Sequence, residues 1–155
     1  MKIKFLSLAE KSVVLNELYE EYGIEKDELA ELKLIASGRK KIRAYSGDFS
    51  EAEVSVLSSI AEIDSVGLYL ANTRDKSIRL NFDAATFLRD KLKKHVVELD
   101  ENELKLWFEG FDLEKRAPKG NVVLKFRNDV VGVGKSNGTL IFNYVPKERK
   151  CKVSI

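Results

Sequence analysis

Basic side chains cluster near the end of the chain, directly behind a proline. The residues are Lys147, Arg149, Lys150 and Lys152, and they follow Asn143-Tyr144-Val145-Pro146. Proline has a fixed φ and no N–H to donate, so it ends a strand and holds the residues after it in a defined turn. Cations held in this way can contact successive phosphates, and Arg149 can bind one phosphate with two hydrogen bonds. The chemistry indicated is phosphate binding.

More basic residues lie on the predicted strands before this turn. Lys125 and Arg127 alternate with Leu124 and Phe126, which predicts that the two cations share one face of a strand. Lys135 is predicted to point outward from the following strand. These three residues extend the candidate binding surface.

Three aromatic residues interleave with these cations and could stack on unpaired bases. They are Phe126, Phe142 and Tyr144. Aromatic residues on alternating strands more often belong to the core, which is the position we expect for Phe142, whereas the pattern leaves Tyr144 open. The basic run Arg39–Arg43 is weaker evidence, because a charged turn between elements is common.

The positive charge is confined to one part of the chain. Residues 115–155 contain ten Lys and Arg but only two acids, a net charge of +8, whereas the other 114 residues contain 17 basic and 23 acidic residues, a net charge of −6. The overall net charge of +2 hides this asymmetry. A basic segment beside an acidic one is typical of a nucleic-acid-binding module with a companion domain, and a solvated face without a ligand is the less favoured reading.

Catalytic and metal-binding patterns are absent from the sequence. Gly132-Val133-Gly134-Lys135-Ser136 ends like a phosphate-binding loop, but Asp129 stands where that loop needs its first glycine and no helix follows. We therefore predict a hairpin in which the two glycines allow close backbone approach or a bulge. The single His95 and single Cys151 favour structural or incidental roles over catalysis or metal binding. The expectation is a protein that is not an enzyme and needs no cofactor or metal.

The elements that must position these residues fall into two groups. Residues 1–93 give the order helix, helix, strand, helix, strand, strand, helix, with the second helix around Leu29 to Ile35 and the last from Asp83 to about Lys93. Residues 94–155 give short strands with one short helix, Glu101 to Glu109, and a last strand from Cys151 to Ile155. The predicted fold class is α+β: an N-terminal small α/β domain (1–93) with an antiparallel sheet and flanking helices, followed by a C-terminal β pseudo-barrel (94–155).

The sequence also bears on location. No apolar run approaches the length of a membrane span, and the first residues lack the features of a signal peptide. We expect a protein that stays where it is made, without a membrane partner, in the cytoplasm of an archaeon or the nucleolus of a eukaryote.

The run from Gly120 to Lys150 resembles a PUA domain, the RNA-binding module named for pseudouridine synthases and archaeosine transglycosylases. Its ending, Asn-Tyr-Val-Pro-Lys-Glu-Arg-Lys, is similar to that of PUA domains on RNA methyltransferases of the Nol/Nop/Sun type, although 155 residues leave no room for a methyltransferase domain. Together with Arg79-Leu80-Asn81 and Glu109-Gly110-Phe111-Asp112-Leu113, it resembles the two-domain ribosome-assembly factors of the nip-seven family.

That resemblance implies a protein without catalytic activity that binds RNA, in archaeal members U-rich or AU-rich single strands. It implies a role in processing rRNA precursors and a ribosome-assembly or exosome-related protein partner for the N-terminal domain. It also implies that Lys147, Arg149, Lys150 and Lys152 contact RNA, with Lys125, Arg127 or Lys135 completing the surface.

Three hypotheses follow. The first is an RNA-binding adaptor in rRNA maturation. The second is a specificity subunit that presents RNA to a separate modifying enzyme, such as a methyltransferase or a pseudouridine synthase. The third is a protein-interaction module whose basic face meets an acidic partner.

Overall fold

The structure is a computed structural model that describes residues 3–151, except for the side chain of Asp75. Its first sheet has five antiparallel strands in the order β1-β2-β3-β4-β5. The strands are β1 (Ile3–Phe5), β2 (Lys33–Ser37), β3 (Lys41–Tyr45), β4 (Leu68–Asn72) and β5 (Arg79–Leu80). The helices of this part are α1 (Leu8–Tyr22), α2 (Glu51–Ile60) and α3 (Phe82–Phe87), with short 3-10 helices at Lys26–Leu29 and Arg74–Lys76.

The second sheet is a curled, mixed half-barrel in the order β6-β8-β9-β10-β7. Its strands are β6 (Val96–Glu98), β7 (Leu113–Glu114), β8 (Gly120–Phe126), β9 (Asp129–Ser136) and β10 (Leu140–Asn143). β6 runs parallel to β8, and the other neighbours are antiparallel. Helix α4 (Glu101–Glu109) belongs to this part, and a 3-10 helix spans Lys147–Arg149. The predicted fold class, including the pseudo-barrel, is confirmed.

Capping boxes explain where three of the helices begin. Ser7, Ser50 and Asp100 each accept a hydrogen bond from the backbone N–H three residues later, and the glutamate at that later position accepts one from the backbone N–H of the cap residue. Two backbone donors are thus satisfied at each helix start. Helices α1 and α4 end at Gly23 and Gly110, both left-handed, a conformation that glycine adopts without strain.

The predicted second helix, from Leu29 to Ile35, is wrong. Only Lys26–Leu29 is helical, as a 3-10 turn, and the following residues form strand β2. Neighbouring Leu34 and Ile35 are both 1% exposed, so β2 is buried on its two faces. A strand buried on both faces lacks the polar alternation that distinguishes it from a helix in the sequence.

The last helix of the N-terminal part is shorter than predicted. Helix α3 ends at Phe87 instead of continuing to Lys93, and the ring of Phe87 is exposed instead of facing the core. The backbone N–H groups of Lys93 and Lys94 donate to the carbonyl of Tyr22 on α1 at 2.8 and 3.0 Å. The end of the segment predicted as helical is therefore held by tertiary hydrogen bonds to α1 instead of helical ones. The predicted last strand falls on residues 151–155, of which only Cys151 is described, outside any strand.

The two sheets share a hydrophobic core. The larger cluster contains Leu18 and Tyr22 from α1 together with Val123, Val130 and Val133 from the second sheet. A second cluster lies on the other side of β8 and β9 around Trp107, which is fully buried. That residues 1–93 and 94–155 form two separate domains stays a prediction. Among the helices in residues 3–151, none is long and apolar enough to cross a membrane.

Trp107 packs closely against strand β9 of the second sheet. Its indole Nε1 donates to the carbonyl of Val131 at 3.2 Å, and its ring lies against Gly132 and Gly134. An added Cβ would collide with the indole at Gly132 and with the Phe142 carbonyl at Gly134. The prediction that these glycines allow close backbone approach is therefore correct. β9 continues through Ser136 without starting a helix, as the rejection of a phosphate-binding loop requires.

Candidate nucleic-acid interface

The structure divides the ten basic residues of the C-terminal segment into two groups. Four are engaged by protein groups: Lys115 by Glu103, Arg127 by Glu101, Arg149 by Asp83, and Lys125 by a backbone carbonyl. Five have no ion pair among the described residues: Arg116, Lys119, Lys135, Lys147 and Lys150. The tenth, Lys152, lies outside the residues that the structure describes. No described acidic side chain pairs with the five residues of the second group, so they are available to bind an anionic ligand.

The predicted pairing of Lys125 with Arg127 on one strand face is wrong. Lys125 is 8% exposed, and its Nζ donates to the Arg89 carbonyl at 2.5 Å. A register shift between Leu124 and Lys125 interrupts the alternation, and Arg127 lies beyond the strand in a turn with φ of 56°. Lys125 therefore links the second sheet to the segment after α3, whereas Arg127 is exposed.

The turn after Pro146 holds its basic residues in different environments. Lys147 and Lys150 are exposed, and the methylenes of Lys150 pass beside Gly110 at the end of α4. Arg149 reaches across to the N-terminal part, where its Nη2 lies 3.0 Å from Asp83 Oδ1 and its guanidinium carbon lies 4.6 Å from the centre of the Phe82 ring. A phosphate would have to compete with Asp83 for this guanidinium.

The outcome for the aromatic residues differs from the sequence prediction. Phe142 is 37% exposed, which corrects the expectation that it belongs to the core. Its strand neighbour Ile141 fills the core instead and is fully buried, so alternation places Phe142 on the outer face. Phe126 packs at the margin of the Trp107 cluster, and Tyr144 is 39% exposed. Tyr144 thus has a ring face that a ligand can reach.

Asn143 holds the backbone that presents Tyr144. Its Nδ2 donates to the carbonyls of Trp107 and Phe111 at 2.7 and 3.0 Å, and its N–H donates to Asp112 Oδ1 at 2.7 Å. Its Oδ1 accepts from the N–H of Val145 at 2.9 Å. Four hydrogen bonds from one residue fix the position of the next side chain, so Tyr144 is presented from a rigid support.

Tyr144 lies where the two parts of the molecule meet. The guanidinium carbon of Arg79, on β5, lies 4.8 Å from the centre of the Tyr144 ring, within the range of a cation–π contact. Close by, Asn121 on β8 donates from Nδ2 to Ser77 Oγ and to the Ile78 carbonyl, both at 3.1 Å. The cleft at this junction has room for about one water, and the residues around it are Asn72, Arg74, Ser77, Arg79, Asn121, Lys135 and Tyr144. We call Arg74, Arg79, Lys135 and Tyr144 the basic seam.

The cations of the basic seam have no acidic partner among the described residues. Lys135 sits on β9 between Asn121 on β8 and Phe142 on β10. Arg74 is exposed at the end of the first sheet. Three cations around an exposed tyrosine match what single-stranded nucleic acid requires, which is charge for phosphates and a flat face for a base.

The seam residues from the N-terminal part were missed by sequence reasoning as ligand contacts. A signal was present at Arg79, because Ile78 and Leu80 are core residues and strand alternation turns Arg79 away from the core. No local pattern could have paired Arg79 with Tyr144, because 65 positions separate them in the sequence.

His95 and Cys151 both make contacts within the fold. The Nδ1 of His95 lies 2.9 Å from the Asn121 carbonyl and 3.4 Å from Glu21 Oε1, where the ring joins α1 to β8. Cys151 is exposed, and its N–H donates to the Phe108 carbonyl at 2.9 Å. Within residues 3–151, no three His, Cys, Asp or Glu side chains form a group that could hold a metal ion.

Comparison with known proteins identifies the second part of the chain. Residues 94–150 match the family model described as the methyltransferase RsmF PUA domain. The chain is 31% identical over 102 residues to the ribosomal RNA small subunit methyltransferase F of Vibrio cholerae serotype O1 (strain M66-2), covering 64% of this chain and 21% of that protein. The methyltransferase F of Aeromonas salmonicida (strain A449) is 32% identical over 87 residues, covering 55% of this chain and 18% of the relative.

The C-terminal part is therefore a PUA domain related to the PUA domain of RsmF, and PUA domains bind RNA. The predicted resemblance of its ending to methyltransferase PUA domains is confirmed. The chain spans about a fifth of the length of these curated relatives. The closer assignment to the nip-seven family is not shown by these matches.

Proposed function

We propose that this chain is a non-catalytic RNA-binding module that presents ribosomal RNA to a separate modifying enzyme, a methyltransferase. The observation that carries the proposal is the match of residues 94–150 to a PUA domain that its relatives carry within rRNA methyltransferases. The matched region is 21% of such a relative, and the proposal assigns methyl transfer to a separate partner of this chain.

The charge distribution supports RNA as the ligand. Lys135, Lys147 and Lys150 lie on the PUA part without acidic partners among the described residues, and Tyr144 offers an exposed ring. Phosphate contacts fix the position of an RNA but carry no sequence information, whereas an exposed aromatic ring favours unpaired bases. The proposed ligand is thus a single-stranded segment of rRNA, held by its backbone so that a neighbouring nucleotide is available to the enzyme.

The first test is fluorescence anisotropy with labelled oligo(U), oligo(A) and an RNA duplex. We expect salt-sensitive binding that favours the single strands. The variant Lys147→Ala/Lys150→Ala should bind all single strands more weakly and flatten the plot of log K against log salt by about 1.4, since each phosphate contact contributes about 0.7 for single strands. The matched control Lys26→Ala/Lys105→Ala removes two charges elsewhere and should preserve most of the slope.

The second test asks which RNA is bound in the cell. Ultraviolet crosslinking and sequencing should place contacts in small-subunit rRNA beside a methylated nucleotide. The chain should also co-purify with a methyltransferase whose rate on rRNA rises when the chain is added. Absence of RNA binding at every salt concentration refutes the proposal and directs attention to an acidic protein partner.

A second candidate is the nip-seven type of assembly adaptor, favoured by the order and spacing of Arg79-Leu80-Asn81 and Glu109–Leu113. In that case the N-terminal part would bind a ribosome-assembly or exosome-related protein, and the RNA would be a U-rich or AU-rich precursor. The same crosslinking experiment separates the two candidates, because contacts confined to large-subunit precursor rRNA with no associated methyltransferase support the adaptor.

A further inference from the structure

Three residues form a row across the first sheet at the end nearest the basic seam. Lys41 on β3 is paired with Asn72 on β4, and Asn72 is paired with Arg79 on β5. Directly paired residues point to the same face, and strands are spaced about 4.8 Å apart, so the row places Lys41 about 10 Å from Arg79. The next row, Ile42, Ala71 and Leu80, is buried. Alternation therefore turns the Lys41 row away from the core.

Side-chain contacts join this row to the PUA part, which has a sheet of its own. Arg79 contacts the ring of Tyr144, and Asn121 is hydrogen-bonded to Ser77 and Ile78. Asn121 is itself the β-sheet partner of Lys135. The outer row of the first sheet and the Asn121–Lys135 row of the second sheet thus meet at the basic seam.

A second, larger groove lies on the N-terminal side. It is an open groove of about 700 Å³, and it is lined by Ser37, Gly38, Arg39, Lys40, Lys41, Asn72 and Arg74. Asn72 and Arg74 line both this groove and the seam cleft, so the two are continuous. Among the described residues, none of the four groove cations forms an ion pair. This part of the surface is basic although residues 1–114 carry a net charge of −6.

We infer that the RNA path crosses the seam, so that the N-terminal sheet forms half of the RNA site. This inference rests on the proposed RNA-binding function and extends it. The ligand is a single strand whose phosphates meet Lys40, Lys41 and Arg74 on one side and Lys135 on the other. One of its bases stacks on Tyr144, with the Arg79 guanidinium over the ring as a second contact for the ligand.

The shape of the surface favours single-stranded RNA over duplex RNA. The seam cleft holds only about one water, so the ligand lies over Tyr144 instead of entering a deep pocket. A base can reach an exposed ring only if it is unpaired, whereas the bases of a duplex are stacked on one another. Duplex RNA therefore gains the phosphate contacts but not the contact with Tyr144.

The experiment compares three charge variants of the full chain by anisotropy with labelled oligo(U) between about 50 and 200 mM salt. Lys40→Ala/Arg74→Ala tests the N-terminal groove, Lys147→Ala/Lys150→Ala tests the PUA part, and Lys26→Ala/Lys105→Ala is the matched control. Loss of two phosphate contacts should flatten the salt slope by about 1.4, so the wild-type protein should lose about sevenfold more affinity over this range than the groove variant.

The outcomes separate the two proposals. If the PUA variant weakens binding and the groove variant behaves like the control, the RNA path stays on the PUA part and the inference is overturned while the proposed function stands. If no variant differs from wild type, or if the wild-type chain binds no RNA, both fail. A thermal melt of each variant excludes unfolding as the cause of weak binding.

The role of Tyr144 has a separate readout. Tyr144→Ala should weaken binding to oligo(U) by about 5- to 100-fold, whereas Tyr144→Phe, which keeps the ring face, should remain within about threefold of wild type. Duplex binding should change little in either variant. Equal losses for the alanine and phenylalanine variants, or equal losses for duplex and single strand, contradict base stacking on this ring.

Discussion

Replacing Gly132 with alanine tests the packing on which the second sheet depends. The added Cβ would collide with Trp107 Nε1 and lie 2.8 Å from Trp107 Cε2. Neither partner can yield easily, because Gly132 is in the middle of β9 and the indole is fully buried. The change therefore over-packs a core, which costs about 1–3 kcal/mol, and it strains the hydrogen bond from Trp107 to Val131, worth about 1 kcal/mol.

A smaller effect opposes this loss. Alanine restricts the unfolded chain more than glycine does, which favours folding by about 0.4–1 kcal/mol where the native backbone suits it. The expected net loss in the free energy of unfolding is about 1.5–3 kcal/mol. For a chain of this size that loss lowers the melting temperature by about 3–12 °C.

The assay is urea denaturation followed by the fluorescence of Trp107, the single tryptophan of the chain. A double-mutant cycle isolates the contact. In a Trp107→Phe background the indole nitrogen is gone, so Gly132→Ala should cost at least about 0.5 kcal/mol less than it does in the wild type. An unchanged denaturation midpoint for Gly132→Ala, or the same cost in both backgrounds, would refute the argument that the tryptophan requires glycine at this position.

Three further predictions concern other contacts. Asp83→Asn should release Arg149 and raise RNA affinity about two- to fivefold in anisotropy, with little change in stability, because an exposed ion pair contributes at most about 1 kcal/mol; unchanged affinity would remove Arg149 from the RNA site. Lys4 and backbone N–H bonding lower the pKa of Glu10 to about 2, so Glu10→Gln should lower the urea midpoint at pH 7, and the difference should shrink as pH falls from about 4.5 towards 2. Tyr22→Phe should cost about 1–3 kcal/mol in denaturation, since the buried hydroxyl bonds two backbone groups near β5, and a neutral result would show that they find other partners.

Much of the fold could be predicted because local signals were strong. A serine that can cap a helix, Ser7 or Ser50, precedes the apolar residues of α1 and of α2 in the sequence, and turn residues such as Ser136-Asn137-Gly138 separate strands of the second sheet. The wrong predictions concern segments whose structure depends on contacts with residues distant in the sequence. Because β2 is buried on both faces, its sequence resembles that of a helix. The end of the segment after α3 is held by hydrogen bonds from Lys93 and Lys94 to the Tyr22 carbonyl, which no local pattern indicates.

The candidate site was only partly accessible to sequence reasoning. Charge counting located the basic C-terminal segment, but it treated every lysine and arginine alike. Burial of Lys125 and the ion pair of Arg149 depend on residues far away in the sequence. The contribution of Arg74 and Arg79 depends on how the two sheets meet, which strand periodicity alone does not specify.

The shared core also limits how this module can be moved between proteins. A chimaera joined at residues 93 and 94 would remove the N-terminal residues that share a core with Val123, Val130 and Val133, and it would expose an apolar surface that the natural fold covers. Such a graft would be prone to aggregation, and it would lose the hydrogen bonds from Asn121 to Ser77 and Ile78. For protein engineering the transferable unit is thus the paired sheets together, and a fusion that appends RNA affinity to another enzyme should carry both.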